Sequence, residues 1–310
     1  MVRRKARRAR LPAWSAPLLA ATLALAAGLA WWSFRNAPTA EPGERATRRP
    51  PPRAAAPAPR APAPRAAAPA PPVRSPAAPP PAAVRAARVA VVIDDLGRSL
   101  AELDRLRALG VPITYAVLPF ESLTAQVVAR LRAEGAEILC HLPLEGRGRA
   151  NPGPGAIREE FSRRRMARLA RRAIDAVAGA AGVNNHMGSV VTSDPQAMRA
   201  ILDVVGERGL FFLDSRTTAD SVAYELAREA GIPTARREVF LDVEREPAAV
   251  RRQFAALLEA AAARGAAIGI GHPHRVTLDA LAEEVPRALA AGYEFVPVSF
   301  LLEREERLPE

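Results

Sequence analysis

The chain of 310 residues contains a single cysteine, and its folded part lacks an excess of positive charge. The lone cysteine, Cys140, excludes an intrachain disulfide, and we expect a buried thiol at the end of a strand. Residues 1–10 carry a net charge of +6 and residues 35–88 one of +8, which leaves residues 89–310 at about −3 of the total of +11. Because nucleic-acid binding relies on clustered positive charge, we expect no nucleic-acid partner for this part.

A membrane segment is expected near the N-terminus. Residues 14–34 contain no charge, and a helix of that length spans roughly 32 Å, the thickness of the hydrocarbon core. Trp14 at one end and Trp31 with Trp32 at the other suit the aromatic belts, and the Arg-rich residues 1–13 predict a cytoplasmic N-terminus. A cleaved signal peptide is the alternative. We expect an uncleaved anchor in the inner membrane, with the rest of the chain in the periplasm or an equivalent extracytoplasmic space.

Residues 35–88 consist mainly of Pro, Ala and Arg, with hardly an aliphatic side chain larger than Ala. Such a segment cannot bury a core, and we expect a disordered linker. Proline at this density favours polyproline II, which at ~3.1 Å per residue would reach up to roughly 170 Å. We interpret the segment as a solvated spacer. The alternative is that its arginines contact anionic lipid or cell-wall polymer.

Strand and helix patterns alternate through residues 89–310, which is typical of an α/β fold with a parallel sheet. The expected strands are Val89–Ile93, Ile113–Leu118, Glu137–His141, Gly182–Asn185, Leu210–Asp214, Val239–Asp242, Ala266–Gly271 and Glu294–Val298. The expected helices are Leu100–Leu109, Leu123–Glu134, Arg158–Ala178, Asp194–Arg208, Ser221–Ala230, Pro247–Arg264 and Leu278–Ala290. Seven to eight such units predict one domain, a distorted (β/α) barrel, with its chemistry at the carboxyl ends of the strands.

Two adjacent carboxylates, Asp94 and Asp95, follow the first expected strand. A helix N-cap is one interpretation, but Ser99 and Glu102 already form a capping box for the next helix. A strand that breaks into a loop at Gly97 can turn both carboxylates toward one pocket. Ionised carboxylates beside a buried strand are costly without a positive partner, so the pair predicts a metal site.

The chain has only four histidines, and each lies at or just after the end of an expected strand. A lone histidine is more often a core residue than a ligand, but four that share one barrel face with acidic residues reverse that expectation. The residues expected on this face are His141, His186, His272, His274, Asp94, Asp95, Glu145 and Asp214. Imidazole and carboxylate together suit a zinc site with an open position.

Other polar residues are expected at the same face. Asn184 and Asn185 can orient ligands or bind a polar substrate. Asp214 and Arg216 form either a structural ion pair or a pair that tunes an acid or base. Residues 151–155, Asn-Pro-Gly-Pro-Gly, predict a surface loop near the end of the third strand, which either lines the groove or is a plain connection.

With these residues in place, the chain resembles the divergent polysaccharide deacetylase family. The matching stretches follow the order of the family and are Val-Ile-Asp-Asp-Leu-Gly (92–97), His-Leu-Pro-Leu-Glu (141–145), Asn-Pro-Gly-Pro-Gly (151–155), Asn-Asn-His-Met-Gly-Ser (184–189), Phe-Leu-Asp-Ser-Arg-Thr (212–217), Val-Phe-Leu-Asp (239–242) and Ile-Gly-His-Pro (270–273). They cover essentially all of residues 89–300. The resemblance implies a distorted α/β barrel related to metal-dependent carbohydrate esterases, which remove N- or O-acetyl groups from sugars.

The resemblance also implies roles for single residues. Asp94 matches the general base of the deacetylases proper, Asp95 a metal ligand, and His141 the first of their two paired histidines. Glu145 stands in place of the second, so the third ligand is either His186 or Glu145. We expect His186, because zinc with one carboxylate and two neutral imidazoles keeps a positive charge, whereas a second carboxylate would cancel it.

His272 matches the general acid of these enzymes, with His274 as the alternative. The resemblance thus implies zinc-dependent removal of acetyl groups from a cell-envelope glycan. Because the metal motif is altered, a non-catalytic glycan-binding or envelope-assembly protein is the second interpretation. Phosphoryl transfer is disfavoured, because no partnering lysine or Gly-rich phosphate loop accompanies the Asp pair.

Overall fold

The computed structural model describes residues 86–305, with side chains as far as residue 302. The predicted cytoplasmic segment 1–13, the predicted anchor 14–34 and the predicted linker as far as residue 85 lie outside the described residues. Within residues 86–305, no helix is both long and apolar enough to cross a membrane.

The described residues form one sheet of nine strands, and every pairing in it is parallel. The strands are β1 (Arg88–Leu96), β2 (Thr114–Val117), β3 (Ile138–Leu144), β4 (Gly182–Met187), β5 (Phe211–Asp214), β6 (Thr234–Arg236), β7 (Val239–Phe240), β8 (Ala266–Gly271) and β9 (Glu294–Phe295). Their order is β6-β5-β4-β3-β2-β1-β8-β7, and β9 pairs with the beginning of β1.

Helices connect most of these strands. In residues 86–305 they are α1 (Leu100–Arg107), α2 (Thr124–Ala133), α3 (Arg163–Ala176), α4 (Pro195–Glu207), α5 (Ala223–Glu229), α6 (Pro247–Arg264), α7 (Arg275–Ala290) and α8 (Val298–Glu305). The start of α1 is capped as predicted, because the Oγ of Ser99 accepts a hydrogen bond from the N–H of Glu102. The alternation of strand and helix confirms the predicted parallel α/β domain.

A connection of two residues joins β6 to β7. These two strands are the first and the last in the strand order. The N–H of Arg237 donates to the carbonyl of Asp214 at the end of β5, and the N–H of Glu238 donates to that of Ile268 in β8, both at 3.0 Å. One segment therefore passes from one edge of the sheet to the other. The sheet is curled in the manner of a TIM-like barrel.

The side chains of β1 alternate between two cores. Val89, Val91 and Ile93 pack into the larger core with the helices, whereas Ala90 and Val92 pack into a smaller core with inward residues of other strands. All five are fully buried. This double burial is what the uninterrupted apolar run predicts, because a sheet covered on both faces needs apolar residues at every position.

Helix α8 occupies one end of the curled sheet. Its residues Val298 and Leu302 belong to the smaller core, and the N–H groups of Val298 and Ser299 donate to the carboxylate of Glu137, just before β3. This end therefore lies at the amino ends of the strands. The carboxyl ends, where polar residues are expected, lie at the opposite end.

The structure differs from the sequence prediction at several boundaries. The last expected strand, Glu294–Val298, is only the two-residue β9, because Glu137 caps the start of α8 at its end. The helix expected from Arg158 begins only at Arg163, because the Oγ of Ser162 caps its start by accepting from the N–H of Arg165. Strand β6 was not predicted.

Candidate metal centre

A bulge near the end of β1 turns the adjacent carboxylates of Asp94 and Asp95 toward the same site. Asp95 has a φ of 60°, and the register between β1 and β2 shifts between Ile93 and Leu96. Pleating alone would send neighbouring side chains to opposite faces, and the bulge removes this alternation. The strand ends at Leu96 and the loop begins at Gly97, as predicted, but the turn of the carboxylates occurs earlier, at Asp95.

Three potential ligand atoms meet toward the carboxyl ends of β1, β3 and β4. His141 lies within β3 and not at its predicted end, because the strand continues to Leu144. Asp95 Oδ1 lies 2.8 Å from His186 Nδ1 and 3.3 Å from His141 Nε2, and the two nitrogens are 3.2 Å apart. Zinc bound tetrahedrally, with bonds of about 2.0–2.1 Å, separates its ligand atoms by about 3.3 Å. The spacing of the three atoms therefore fits a shared ion.

Two imidazole nitrogens lie close to Asp95 Oδ1, but neither meets it with the geometry of a hydrogen bond. Asp95 Oδ1 is buried, and no described residue donates to it. Burial alone would raise the pKa of Asp95, but His141 and His186 hold the pKa of this carboxyl well below its usual range. A buried, ionised oxygen without a donor is costly unless a cation binds it. The residues present thus fit a divalent ion, and their mixed nitrogen and oxygen donors suit zinc.

Asn184 in β4 orients two of these side chains. Its Nδ2 donates to Asp94 Oδ1 at 2.8 Å, because an ionised carboxylate can only accept. The amide oxygen then faces His141 Nδ1 at 2.9 Å and accepts its proton. In the neutral form of His141 the lone pair is then on Nε2, which is the atom that faces Asp95. In metal sites, a hydrogen bond to the nitrogen that does not bind the metal fixes the tautomer of a ligating histidine in this way.

Asp94 lies beside the three atoms and is nearly inaccessible to solvent, with 3% exposure. Burial raises the pKa of Asp94, and the charges of His141 and His272 act in the opposite direction. Since Oδ1 accepts from Asn184, Oδ2 is the oxygen left for the site, and it lies 3.6 Å from His141 Nε2. A proton acceptor thus stands next to the candidate metal ligands.

A second cluster of imidazole and carboxylate groups follows β7 and β8. His272 Nδ1 donates to Asp242 Oδ1 at 2.9 Å, and Asp242 Oδ2 accepts from the N–H of His272 and from Thr277 Oγ1, each at 2.7 Å. Burial would lower the pKa of His272, but the hydrogen bond with Asp242 and the nearby carboxylates raise it. Its other nitrogen, Nε2, is 4.0 Å from Asp95 Oδ2 and faces the first cluster.

The sequence prediction did not include Asp242 among the site residues. It ends the weakest of the expected strands, Val239–Asp242, but the rule that placed the histidines at strand ends applies equally to it. The predicted alternative acid, His274, stacks on the ring of His272, with 5.5 Å between the centroids and 25° between the planes. Burial and the charge of Arg245 lower the pKa of His274.

Glu145, the alternative third ligand, turns away from the three ligand atoms. Its Oε2 accepts from the N–H of Glu159 at 3.0 Å, and its Oε1 lies 3.6 Å from Arg158 Nη1. These partners belong to the segment that follows the predicted loop 151–155, and an isolated bridge between Leu144 and Ile157 ties that segment to the end of β3. The geometry thus favours His186 over Glu145.

The structure corrects the expectations for Asn185 and for Asp214. Asn185 is buried and braces the backbone, because its Oδ1 accepts from the N–H of Ser215 and its Nδ2 donates to the carbonyl of Met187. It is therefore not available to a substrate. Asp214 accepts from the backbone N–H of Arg216 and from Ser221 Oγ. The ion-pair interpretation of Asp214 and Arg216 is wrong, because the carboxylate holds its own loop.

The remaining prediction concerns the thiol. Cys140 is fully buried, as expected, but it lies within β3 and not at the end of the strand. Burial raises the pKa of Cys140. The thiol is therefore a packed core group and takes no part in the site.

Comparisons with known proteins agree with these features. The model of the divergent polysaccharide deacetylase family matches residues 91–302. An uncharacterized protein of Haemophilus influenzae is 34% identical over 223 residues, which are 72% of this chain and 79% of that protein. The uncharacterized protein YibQ of Escherichia coli is 33% identical over 202 residues, 65% of this chain and 63% of that one.

Among solved structures, the crystal structure of the uncharacterized protein ATU2773 from Agrobacterium tumefaciens C58 is similar to this chain. The two share 28% sequence identity and superpose with a TM-score of 0.65, over 72% of this chain and 92% of that one. The fold described above therefore also occurs in an experimental structure.

Proposed function

We propose, for a chain that belongs to the divergent polysaccharide deacetylase family, that it hydrolyses an acetyl amide or ester on a cell-envelope polysaccharide with a bound divalent metal ion. One observation carries the proposal. Asp95 Oδ1 is buried without a hydrogen-bond donor and lies within 3.3 Å of two imidazole nitrogens. The carboxylate of Asp94 and the imidazole of His272 flank this arrangement.

Asp95, His141 and His186 would hold the ion, and zinc suits their donor atoms best. When bound, the ion supplies Lewis acidity toward the acetyl carbonyl and the attacking water. The proton transfers belong to the protein. Metal content and acetyl hydrolysis are therefore expected to be lost together when one of the three ligands is removed.

Asp94 is proposed as the general base. Its Oδ2 takes the proton of the attacking water, while Asn184 holds Oδ1 and so fixes the direction of the carboxylate. His272 is proposed as the general acid, and its Nε2–H gives a proton to the leaving amine or hydroxyl. Asp242 holds the other nitrogen and raises the pKa of His272, which keeps the imidazole protonated until the bond breaks.

A second candidate function is binding of an envelope glycan, or a part in envelope assembly, without turnover. One observation favours it. Glu145 stands where the deacetylases proper carry their second paired histidine, and here it binds the backbone of Glu159 and lies near Arg158. A changed ligand set can retain the fold and the groove while it loses the reaction.

Metal analysis and an acetate-release assay separate the two candidates. We expect the purified full chain to contain one equivalent of metal and to release acetate from peptidoglycan or chitin-like oligomers. A chelator should stop the release, and zinc should restore it. A metal-loaded chain that releases no acetate from any envelope glycan, while Asp94→Asn still complements a deletion strain, would establish the binding function instead.

The location of the chain is part of the proposal. Residues 14–34 would anchor it in the inner membrane, with residues 1–13 in the cytoplasm and the folded domain in the periplasm or an equivalent space. The absence of charge from residues 14–34 supports this topology. A phosphatase reporter that works only after export should be active at the C-terminus. Activity there of a reporter that works only in the cytoplasm would contradict the topology.

A further inference from the structure

A cavity of about 260 Å³ lies at the ends of β5 and β6, outside the clusters described above. It is lined by Arg216, Thr218, Ala219, Arg237 and Glu238. Two of these five residues are arginines, and neither forms an ion pair with a carboxylate among the residues that the structure describes.

The guanidinium of Arg237 is held in a fixed position. Its Nε donates to the carbonyl of Ser215 at 2.7 Å and its Nη2 to that of Arg216 at 2.8 Å. Its Cζ lies 4.7 Å from the centre of the Phe240 ring. Neutral carbonyls and an aromatic face thus position the group without an ion pair. The remaining N–H groups form a fork of the kind that binds a carboxylate at two points.

No carboxylate of the described residues forms an ion pair with either arginine, although the charges of three carboxylates act on Arg237. Glu238 lines the cavity with an exposed side chain, and its Oε2 accepts from the N–H of Ile268 in β8 at 2.7 Å. Both oxygens of Asp214 accept hydrogen bonds from their own loop. Burial lowers the pKa of Arg237 and the charge of Arg216 lowers it further, whereas the charges of Asp214, Asp94 and Glu238 raise it. An anion in the cavity would relieve this unfavourable pairing of like charges.

The cavity is linked to the candidate metal centre through two residues. Asn184 Nδ2 faces both Asp94 Oδ1 at 2.8 Å and Ser215 Oγ at 3.3 Å, and the carbonyl of Ser215 accepts from Arg237. If an acetylated sugar meets Asp94, a group bound at Arg237 would therefore lie close to that sugar, since only Asn184 and Ser215 separate Arg237 from Asp94. This proximity favours a second chemical group of the same polymer over a separate ligand.

We propose that Arg216 and Arg237 form a subsite for a carboxylate of the substrate, so that the polysaccharide is an acidic glycan. The proposal rests on the proposed function for the identity of the polymer. Anion binding by the two arginines does not itself require turnover. The two parts can therefore fail separately.

The test uses the full chain and three oligomers of equal length. One contains N-acetylglucosamine alone and is neutral. The second alternates N-acetylglucosamine with N-acetylmuramic acid, which carries a lactyl carboxylate, and the third alternates it with glucuronic acid, which carries a ring carboxylate. By calorimetry, at least one acidic oligomer should bind about tenfold or more tightly than the neutral one, as expected for a charged hydrogen-bonded pair. The stronger of the two identifies the source of the carboxylate.

Variants assign this preference to the cavity. Arg216→Gln, at an exposed side chain, should remove most of the preference without disturbing the fold, and Arg237→Gln should remove it entirely. Because Arg237 also holds two carbonyls, Arg237→Lys is added, which keeps the charge but loses the fork. Arg236→Gln is the matched control, since this exposed neighbour faces Glu225 at 3.8 Å and does not line the cavity.

Three results would overturn the subsite. They are equal affinity of the unaltered chain for all three oligomers, a loss in Arg236→Gln as large as that in Arg216→Gln, and an equal weakening of neutral and acidic oligomers by the cavity variants. Acetate release is measured on the same oligomers. If no oligomer releases acetate while the arginine-dependent preference persists, the proposed function fails and the subsite stands. If instead acetate is released equally fast from neutral and acidic oligomers, and Arg216→Gln does not change these rates, the subsite fails and the proposed function stands.

Discussion

The cluster of Asp95, His141 and His186 and the cluster of Asp242, His272 and His274 each combine one carboxylate with two imidazoles. In both, the potential ligand atoms lie within 4.8 Å of one another. The two carboxylates nevertheless differ in their hydrogen bonds. Asp95 Oδ1 has no donor among the described residues, whereas both oxygens of Asp242 accept hydrogen bonds.

This difference indicates two kinds of chemistry for similar residues. A metal ligand needs a free lone pair, and Asp95 Oδ1 keeps one directed toward two imidazole nitrogens. Asp242 has committed its oxygens to His272 and Thr277, so it orients an imidazole and raises its pKa. The number of donors already present around a carboxylate thus separates a candidate ligand from a positioning residue more clearly than residue type does.

The largest expected effect is loss of metal from the first cluster. Asp95→Ala, His141→Ala and His186→Ala should each weaken metal binding by more than roughly a hundredfold, the upper range for residues that only support a ligand. The fold should persist, because the large core lies between the sheet and the helices. Metal content after dialysis measures the effect.

Two variants serve as controls for this prediction. His274→Ala should retain its metal, since the carboxylate of the second cluster has both oxygens hydrogen-bonded, and Glu145→Gln should retain it because that carboxylate binds Glu159. If His186→Ala kept its full metal content and Glu145→Gln lost it, the third ligand would be Glu145 and not His186. Loss in His274→Ala would contradict the distinction between the clusters.

The next effect concerns the proton transfers. Asp94→Asn and His272→Ala should each lower the rate of acetate release by about a hundredfold or more, the usual range for loss of a general base or acid. Metal content should be unchanged, because neither residue belongs to the cluster of Asp95, His141 and His186. Steady-state rates and metal analysis on the same preparation test this. A variant that loses its metal would show that the residue is a ligand instead.

A smaller effect is expected at Asn184. Asn184→Leu removes the partner of both Asp94 and His141 and should weaken metal binding by roughly tenfold to a hundredfold. The adjacent Asn185→Ala is the comparison, because its side chain binds only backbone groups. It should lower the free energy of unfolding by about 1–3 kcal/mol and leave metal affinity unchanged. Similar metal affinities in the two folded variants would contradict the role of Asn184.

The smallest effect is a shift in pH dependence. The pKa of His272 is lowered by burial but raised overall by Asp242, and the acid must carry its proton when the leaving group departs. Acetate release should therefore fall as the pH rises through the pKa of His272. Asp242→Asn removes the charge that raises this pKa, so the alkaline limb of the rate profile should move to lower pH. An unmoved limb would assign it to another group.

Much of the site could be predicted because its residues lie at strand ends. Apolar runs such as that before Asp94 mark a strand buried on both faces, and parallel strands bring their carboxyl ends to one side. His141, His186 and His272 could therefore be placed together from the sequence. Asp242 could have been placed with them by the same rule, because it ends the expected strand Val239–Asp242, of which the structure retains two residues.

Other features depend on contacts between distant parts of the chain. Nothing in the local sequence distinguishes Asn184 from Asn185, yet one binds Asp94 and His141 while the other braces the loops after β4 and β5. Neighbouring residues of a strand point to opposite sides, so the register with the adjacent strands decides which amide enters the site. The same holds for Arg236 and Arg237.

The sequence by itself determined that residues 89–305 form a parallel α/β domain with acids and histidines at one end, because apolar periodicity and strand ends are local properties. The tertiary structure alone decided which of them meet. The left-handed Asp95, the bulge between β1 and β2, and the passage of residues 234–240 from β5 to β8 arise from strand pairing across the sheet. Pairing partners are distant in sequence, so no local pattern reveals which carboxylate oxygen keeps a free lone pair for a metal ion.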